Sequence, residues 1–327
     1  MSYNIPWKAR IPLFIFSTAV SASCRPNFTV NRRLWSFFDF KVPASQTPQN
    51  GVKTSDIIID SSRDLWFRLY VPSSASNTTS SPTIIYMHGG GFCFFTADSI
   101  ATEMRCQRLA SELEAIIVSV NYRLAPEHRF PCQYEDCFDI LKFIDENFGC
   151  LPPSADPNQC FLVGDSAGGN LIHHSAIRAS GYDFQKLKII GLISVQPFFG
   201  GEERTESEIR LVGTPVLNVK LADWFWKAFL PDGSDRDHRA ANVFGPKSDN
   251  ISGVKFPAML LVIGGFDTLQ DWQRKYYQWM KKEGKQVYLV EYPNAIHGFS
   301  GFPDLPEYSL FFKEMKNFVK KQYRGII

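Results

Sequence analysis

Phe161-Leu162-Val163-Gly164-Asp165-Ser166-Ala167-Gly168-Gly169-Asn170 is the stretch around which this chain organises itself. An apolar run enters it, Gly-x-Ser-x-Gly occupies the bend, and a helical pattern leaves through Leu171, Ile172, Ala176 and Ile177. That is the sequence form of a nucleophile elbow, a sharp strand-to-helix turn that lifts a serine clear of its neighbours. Glycines at 164 and 168 leave room for the turn. The helix behind it aims free N–H groups and its positive end at the place where negative charge would develop. The pentapeptide alone also fits an ordinary turn; its strand and helix flanks favour the elbow.

Moving outward, short apolar strands alternate with helical patterns. Strands are expected at 56–60, 65–71, 83–87, 115–120, 187–195, 256–264 and 286–291, besides the one entering the elbow. Helices are expected at 99–113, 134–147, 272–282 and 308–323. Such alternation predicts a mostly parallel central sheet with helices on both faces, and ligand sites outside the carboxyl ends of its strands. Three candidate sites fall at such ends, after Met87, Val163 and Gly264. Residues 72–82, rich in Ser, Thr and Asn, read as a solvated loop. Residues 1–50 read as an N-terminal arm with two helical stretches, 7–22 and 30–40, either packed on the core or laid over a pocket mouth as a lid. Residues 51–327 form the main domain, with a helical cap inserted at about 203–230.

Composition bounds the function. With 44% apolar and 21% charged residues and a net charge of +2, the chain offers no electrostatic case for nucleic acid. No run is long enough to span a membrane. The apolar segment Ile11–Val20 resembles a weak signal peptide, but Pro12, Ser17 and Thr18 interrupt it. The 7 cysteines are scattered without zinc spacing and read as free thiols in a reducing compartment, cytoplasmic or also nuclear rather than secreted. The chain is read as a monomer or weak homodimer without metal or cofactor. Its 28 Phe and 7 Trp exceed what a core needs and suit an apolar pocket.

An activated serine needs a base and an orienting acid. Of the 6 histidines, His173 and His174 lie within the elbow's own helix and His238 in a charged stretch. His297, in Ala295-Ile296-His297-Gly298-Phe299, is the candidate base, a hydrogen-bonded loop histidine being the alternative. Asp267, at the end of an apolar strand, is the candidate orienter. Its competitor Asp271 reads better as a helix-start cap. Asp165 reads as structural. The glycine run after Met87 supplies donors for an oxyanion hole from Gly89 and Gly90, with the N–H of Ala167 as the third. His88 reads as a brace for that loop, and Arg123 with Glu127 as a fold-bracing pair. Phe92, Phe94, Phe95, Phe198 and Trp226 are candidate walls of a substrate-binding pocket, with plain core as the alternative for each.

These motifs resemble the hormone-sensitive-lipase-like branch of the α/β-hydrolases, and within it the plant carboxylesterases. His88–Gly91, Gly164–Gly168, Asp267–Asp271 and His297–Phe299 correspond in order to the family's oxyanion, nucleophile, acid and histidine segments, and Tyr122–Glu127 resembles a further block. The resemblance implies an α/β-hydrolase fold, a serine esterase acting on small, largely apolar esters through an acyl-enzyme on Ser166, an N-terminal lid and no cofactor. Asn31–Leu34 and Phe38–Pro43 resemble the corresponding region of the gibberellin receptors. Those reuse the hydrolase pocket to hold a hormone under a helical lid, recruit a repressor protein, and lack the catalytic histidine. His297 and the Asp165-Ser166-Ala167-Gly168 elbow favour an enzyme here. A receptor-like binding protein and a non-hydrolytic dehydratase or cyclase of specialised metabolism are the alternatives.

Overall fold

The computed structural model describes residues 5–77 and 80–323. In chain order its elements are α1 (Trp7–Ser23), α2 (Arg32–Trp35), β1 (Val52–Asp60), β2 (Leu65–Pro72), β3 (Ser81–Met87), α3 (Ile100–Leu113), β4 (Ile116–Asn121), α4 (Cys132–Glu146), β5 (Ala155–Asp165), α5 (Ala167–Ser180), β6 (Ile189–Val195), α6 (Glu206–Arg210), α7 (Val219–Phe229), β7 (Ala258–Phe266), α8 (Gln270–Lys282), β8 (Val287–Ile296) and α9 (Pro306–Tyr323). Among the described residues the strands form one 8-stranded sheet in the order β1-β2-β4-β3-β5-β6-β7-β8. The β1–β2 and β2–β4 pairs are antiparallel, and every other pair is parallel.

The apolar run entering the elbow has no alternation because β5 is covered on both faces. Leu162 joins one core layer with Ile85, Val118 and Leu261, closed by Leu141 and Leu171 from α4 and α5. Its neighbours Phe161 and Val163 point the other way, into a layer with Ile84, Ile193 and Val262, closed by Leu109 from α3 and Met315 and Phe318 from α9. Charging any of these three would place an unpaired ion in a dry layer, so the sequence keeps them apolar. The middle of the sheet is thereby rigid, and the carboxyl ends of β3, β5, β6, β7 and β8 meet on one rim.

Three boundaries depart from expectation for physical reasons. The second N-terminal helix is a single turn, Arg32–Trp35, opened by the Asn31 side chain accepting from Leu34 N–H at 3.2 Å. Only Trp35 and Asp39 of the following stretch are buried, while Phe37 and Phe40 stay exposed, so no continuous apolar face sustains a helix to 40. β8 runs on to Ile296 rather than stopping at Glu291, pairing Phe266 with Ile296 after an irregularity, and this delivers His297 to the rim. The expected loop at 72–82 carries a 3-10 turn, Ser73–Asn77, with residues 78 and 79 outside the described set. No helix among the described residues is long and apolar enough to cross a membrane.

Candidate active site

Ser166 sits at the junction of β5 and α5 with φ 53° and ψ −116°, a backbone conformation that a non-glycine residue adopts only when its surroundings force it. Close packing supplies the force. A Cβ at Gly168 would lie 1.8 Å from the Met87 carbonyl oxygen, so α5 can start this near β3 only with a glycine there. The Ser166 N–H donates to Val195 O at 2.9 Å, which ties the turn to β6.

The structure brings His297 and Asp267 to this serine. His297 Nε2 lies 3.0 Å from Ser166 Oγ, and its Nδ1 lies 2.8 Å from Asp267 Oδ2. With Nδ1 donating to the carboxylate, Nε2 is left as the acceptor that faces the hydroxyl. Asp267 is fully buried and His297 nearly so, which strengthens both contacts. The competing carboxylate, Asp271, instead accepts from the Ser207 N–H at 2.8 Å and stays out of the cluster.

Sequence reasoning missed the residue that fixes this geometry. Gln196 directly follows β6, its Nε2 donates to Asp267 Oδ2 and to Ile296 O, both at 3.0 Å, and its Oε1 accepts from Gly298 N–H at 2.8 Å. Gln273 Nε2 donates to the same Asp267 oxygen at 2.9 Å. A polar residue directly after the apolar β6, at a fourth strand end, was the available signal.

Over the serine lies the glycine loop. A Cβ at Gly89 would stand 3.3 Å from Ser166 Cβ, so this segment passes directly beside the nucleophile position. Neither Gly89 nor Gly90 has a backbone acceptor for its N–H among the loop and turn hydrogen bonds of the described residues, and the Ala167 N–H opens α5, where no intrahelical acceptor exists. Gly90 adopts φ +104°, and a Cβ there would meet Phe94 O at 2.4 Å. Gly90→Ala should therefore push the loop off the serine and lower kcat on an activated ester by roughly 10²–10³-fold. Activity within threefold of wild type, measured with a folded protein, would contradict that placement.

His88 braces the loop. Its ring stacks on Tyr122 at 4.2 Å, its Nδ1 donates to Gly89 O at 2.8 Å, and the Tyr122 hydroxyl donates to His88 O at 2.8 Å. Burial holds His88 neutral, lowering it to about 4. Burial likewise lowers His173 to about 3 and takes His174 well below its ordinary value. Unfolded, all three would bind protons below about pH 6.5, while the folded chain does not, so stability falls as pH drops from 6.5 toward 4. Each histidine contributes up to about 1.4 kcal/mol per pH unit in that window. Urea midpoints at pH 7 and pH 5 should differ clearly, and His173→Gln should flatten the dependence by one histidine's share. Identical midpoints would contradict it.

Arg123 and Glu127 both brace the fold, but not as a pair. Arg123 holds Asp136 through Nε and Nη2 at 2.9 and 2.8 Å. Glu127 instead takes Arg32 of α2 at 2.6 Å, and that arginine also donates to Ala125 O at 2.8 Å and to Cys93 O. The N-terminal segment is thus fastened to the glycine loop.

A cavity of about 530 Å³ opens onto Ser166 and His297. Of the five aromatic residues expected to wall it, Phe94 and Phe95 do so, and Phe92, Phe198 and Trp226 do not. Phe92 stacks on Phe229 at 3.8 Å and Phe198 on Trp226 at 4.3 Å, in a packed layer behind the loop. Phe92 is fully buried in that layer. Phe225, one position before Trp226 on α7, faces the cavity in its place. The N-terminal segment forms much of the remaining wall. Phe16 stacks on Phe95 at 5.8 Å, and Trp35 meets Phe94 edge-on at 4.7 Å.

The fold, the elbow and this rim define the class: the chain belongs to the α/β-hydrolase fold family, whose pattern matches residues 84–301, with the carboxylesterase family matching residues 36–127. It is 38% identical to the gibberellin receptor GID1C of Arabidopsis thaliana, covering 97% of this chain and 95% of that protein. It is 36% identical to carboxylesterase 20 of the same plant, covering 90% and 93%. Among solved structures it resembles an esterase from Pyrobaculum calidifontis, with a TM-score of 0.75 and 25% identity over 98% of this chain and 99% of that one.

Proposed function

We propose that this chain is a serine carboxylesterase that hydrolyses esters of small, largely apolar molecules. The observation that carries the proposal is His297 bridging Ser166 and Asp267 at 3.0 and 2.8 Å. His297 Nε2 takes the Ser166 proton as Oγ attacks the ester carbonyl. The Asp267 carboxylate steadies the imidazolium. The N–H groups of Gly89, Gly90 and Ala167 form the oxyanion hole that receives the charge on the carbonyl oxygen. His297 returns the proton to the leaving alcohol, and water then releases the acid by the same route. Each step draws on groups of the chain itself, so no cofactor is called for.

Residues up to about 50 act as a lid over the cavity, with α6 and α7 as a cap beside it, while the remainder is the catalytic domain. All 7 cysteines are free, which supports a reducing compartment, the cytoplasm or nucleus. The test is hydrolysis of p-nitrophenyl butyrate by the purified chain, with His297→Ala as comparison. Turnover lost in that variant supports the proposal.

A second reading has its own observation. The N-terminal segment closes an apolar cavity with Ile11, Ile15, Phe16 and Trp35, and gibberellin receptors are among the relatives. A hormone-binding protein would hold its ligand tightly without turnover, and His297→Ala would leave that affinity unchanged.

A further inference from the structure

Arg105 differs from the other charges around the cavity. It projects from α3 into the cavity wall and its side chain is only 14% exposed. Nη1 donates to Ser300 Oγ at 2.8 Å. Nε forms an ion pair with Asp165 Oδ1 at 3.9 Å, too long for a hydrogen bond, and Asp165 also accepts from the Tyr86 hydroxyl. A guanidinium carries five N–H donors, and among the described residues Nη2 has no acceptor. Arg105 lines the cavity that also holds Ser166 and His297. Gly301 keeps that edge clear: a Cβ there would come within 3.2 Å of Nη2. The other cation beside this region, Lys41, is already matched by Asp39 at 2.9 Å.

A largely buried cation with spare donors is costly in an apolar wall unless an acceptor completes it. Arg105 and Gly301 line the same cavity as Ser166 and His297, so a ligand group held at this edge shares that cavity with the reacting groups. We propose that Arg105 anchors an anion subsite, and that the ester turned over here carries a carboxylate away from the scissile bond, as in a monoester of a dicarboxylic acid. The guanidinium fork matches a carboxylate, and the carboxylate takes the Nη2 edge while Asp165 keeps the Nε side. This rests on the esterase reading of Ser166.

The test compares p-nitrophenyl butyrate with the p-nitrophenyl monoester of glutaric acid, using the full chain. The ratio of kcat/KM, anionic over neutral ester, should fall at least tenfold in Arg105→Leu, while Arg105→Lys should keep part of it. A general effect of either substitution on the site cancels in the ratio. An unchanged ratio in folded Arg105→Leu, or in Arg105→Gln if the leucine variant does not fold, would reduce Arg105 to a brace between α3 and the 299–301 turn and overturn the proposal. A second readout separates this from the esterase reading. Monomethyl glutarate should quench tryptophan fluorescence of Ser166→Ala, with at least tenfold weaker binding when Arg105→Leu is added. If wild type hydrolyses neither ester, the esterase reading fails and this titration alone decides the subsite; equal binding by the two variants, or none by either, rules it out.

Discussion

Ser166→Ala should lower kcat on an activated ester by roughly 10⁴-fold or more, about 5.5 kcal/mol of lost transition-state stabilisation. The hydroxyl is the only part removed, and it makes its bond only as the ester carbonyl turns tetrahedral. KM should therefore change little. The fold should not suffer. Ala keeps the Cβ, so the turn at φ 53° remains strained to the same degree, and the backbone bond to Val195 O is untouched. Ser166→Gly makes the complementary measurement. It should be equally inactive and yet melt no lower than Ser166→Ala, because glycine adopts this conformation freely. Residual activity within tenfold of wild type in either variant would remove Ser166 from the chemistry.

Asp267→Asn should cost about 10³–10⁴-fold in kcat although it alters a single atom. Every partner of this carboxylate is a donor. Oδ2 receives His297 Nδ1 at 2.8 Å, Gln273 Nε2 at 2.9 Å and Gln196 Nε2 at 3.0 Å, while Oδ1 receives the Leu269 N–H at 2.9 Å. An asparagine amide must point its own N–H groups at one of these two sets. Directed at Oδ2's partners, it forces His297 into the tautomer whose Nε2 carries the proton and cannot accept one from Ser166. Directed at Leu269, it leaves two donors facing each other in a site with no access to water. Either outcome costs about 1–3 kcal/mol of stability in addition to the rate. Parallel measurement of kcat and the urea midpoint separates the effects. Wild-type activity in this variant would mean that His297 is oriented by something other than Asp267.

The sequence exposed those features whose chemistry demands a residue type at a fixed place in the chain. Gly164-x-Ser166-x-Gly168 shows itself because only glycine allows so tight a strand-to-helix turn, and the parallel sheet because Cys160–Val163 of β5 and Ala258–Ile263 of β7 are unbroken apolar runs. Asp267 and His297 stood out by chain order and by their position after strands. What stayed hidden was set by long-range packing. Nothing local in Ser194-Val195-Gln196-Pro197 says that Gln196 will reach both Asp267 and Gly298, which lie 71 and 102 positions further on. The aromatic residues show the same limit. Phe92 and Phe94 are two apart, yet one stacks on Phe229 in the packed layer and the other stands in the cavity wall, a division set by residues distant in the chain. Sequence proximity pairs Glu127 with its neighbour Arg123, whereas its partner Arg32 comes from an N-terminal turn 95 residues away.

The most direct test of the central claim is covalent labelling of the reacting group. The purified chain is treated with diethyl p-nitrophenyl phosphate, and its intact mass is followed by peptide mapping. One diethylphosphoryl group on Ser166 is expected in the wild type, none in Ser166→Ala, and labelling slowed by several orders of magnitude in His297→Ala. An unmodified wild-type chain, or an adduct located on any residue other than Ser166, would contradict the account.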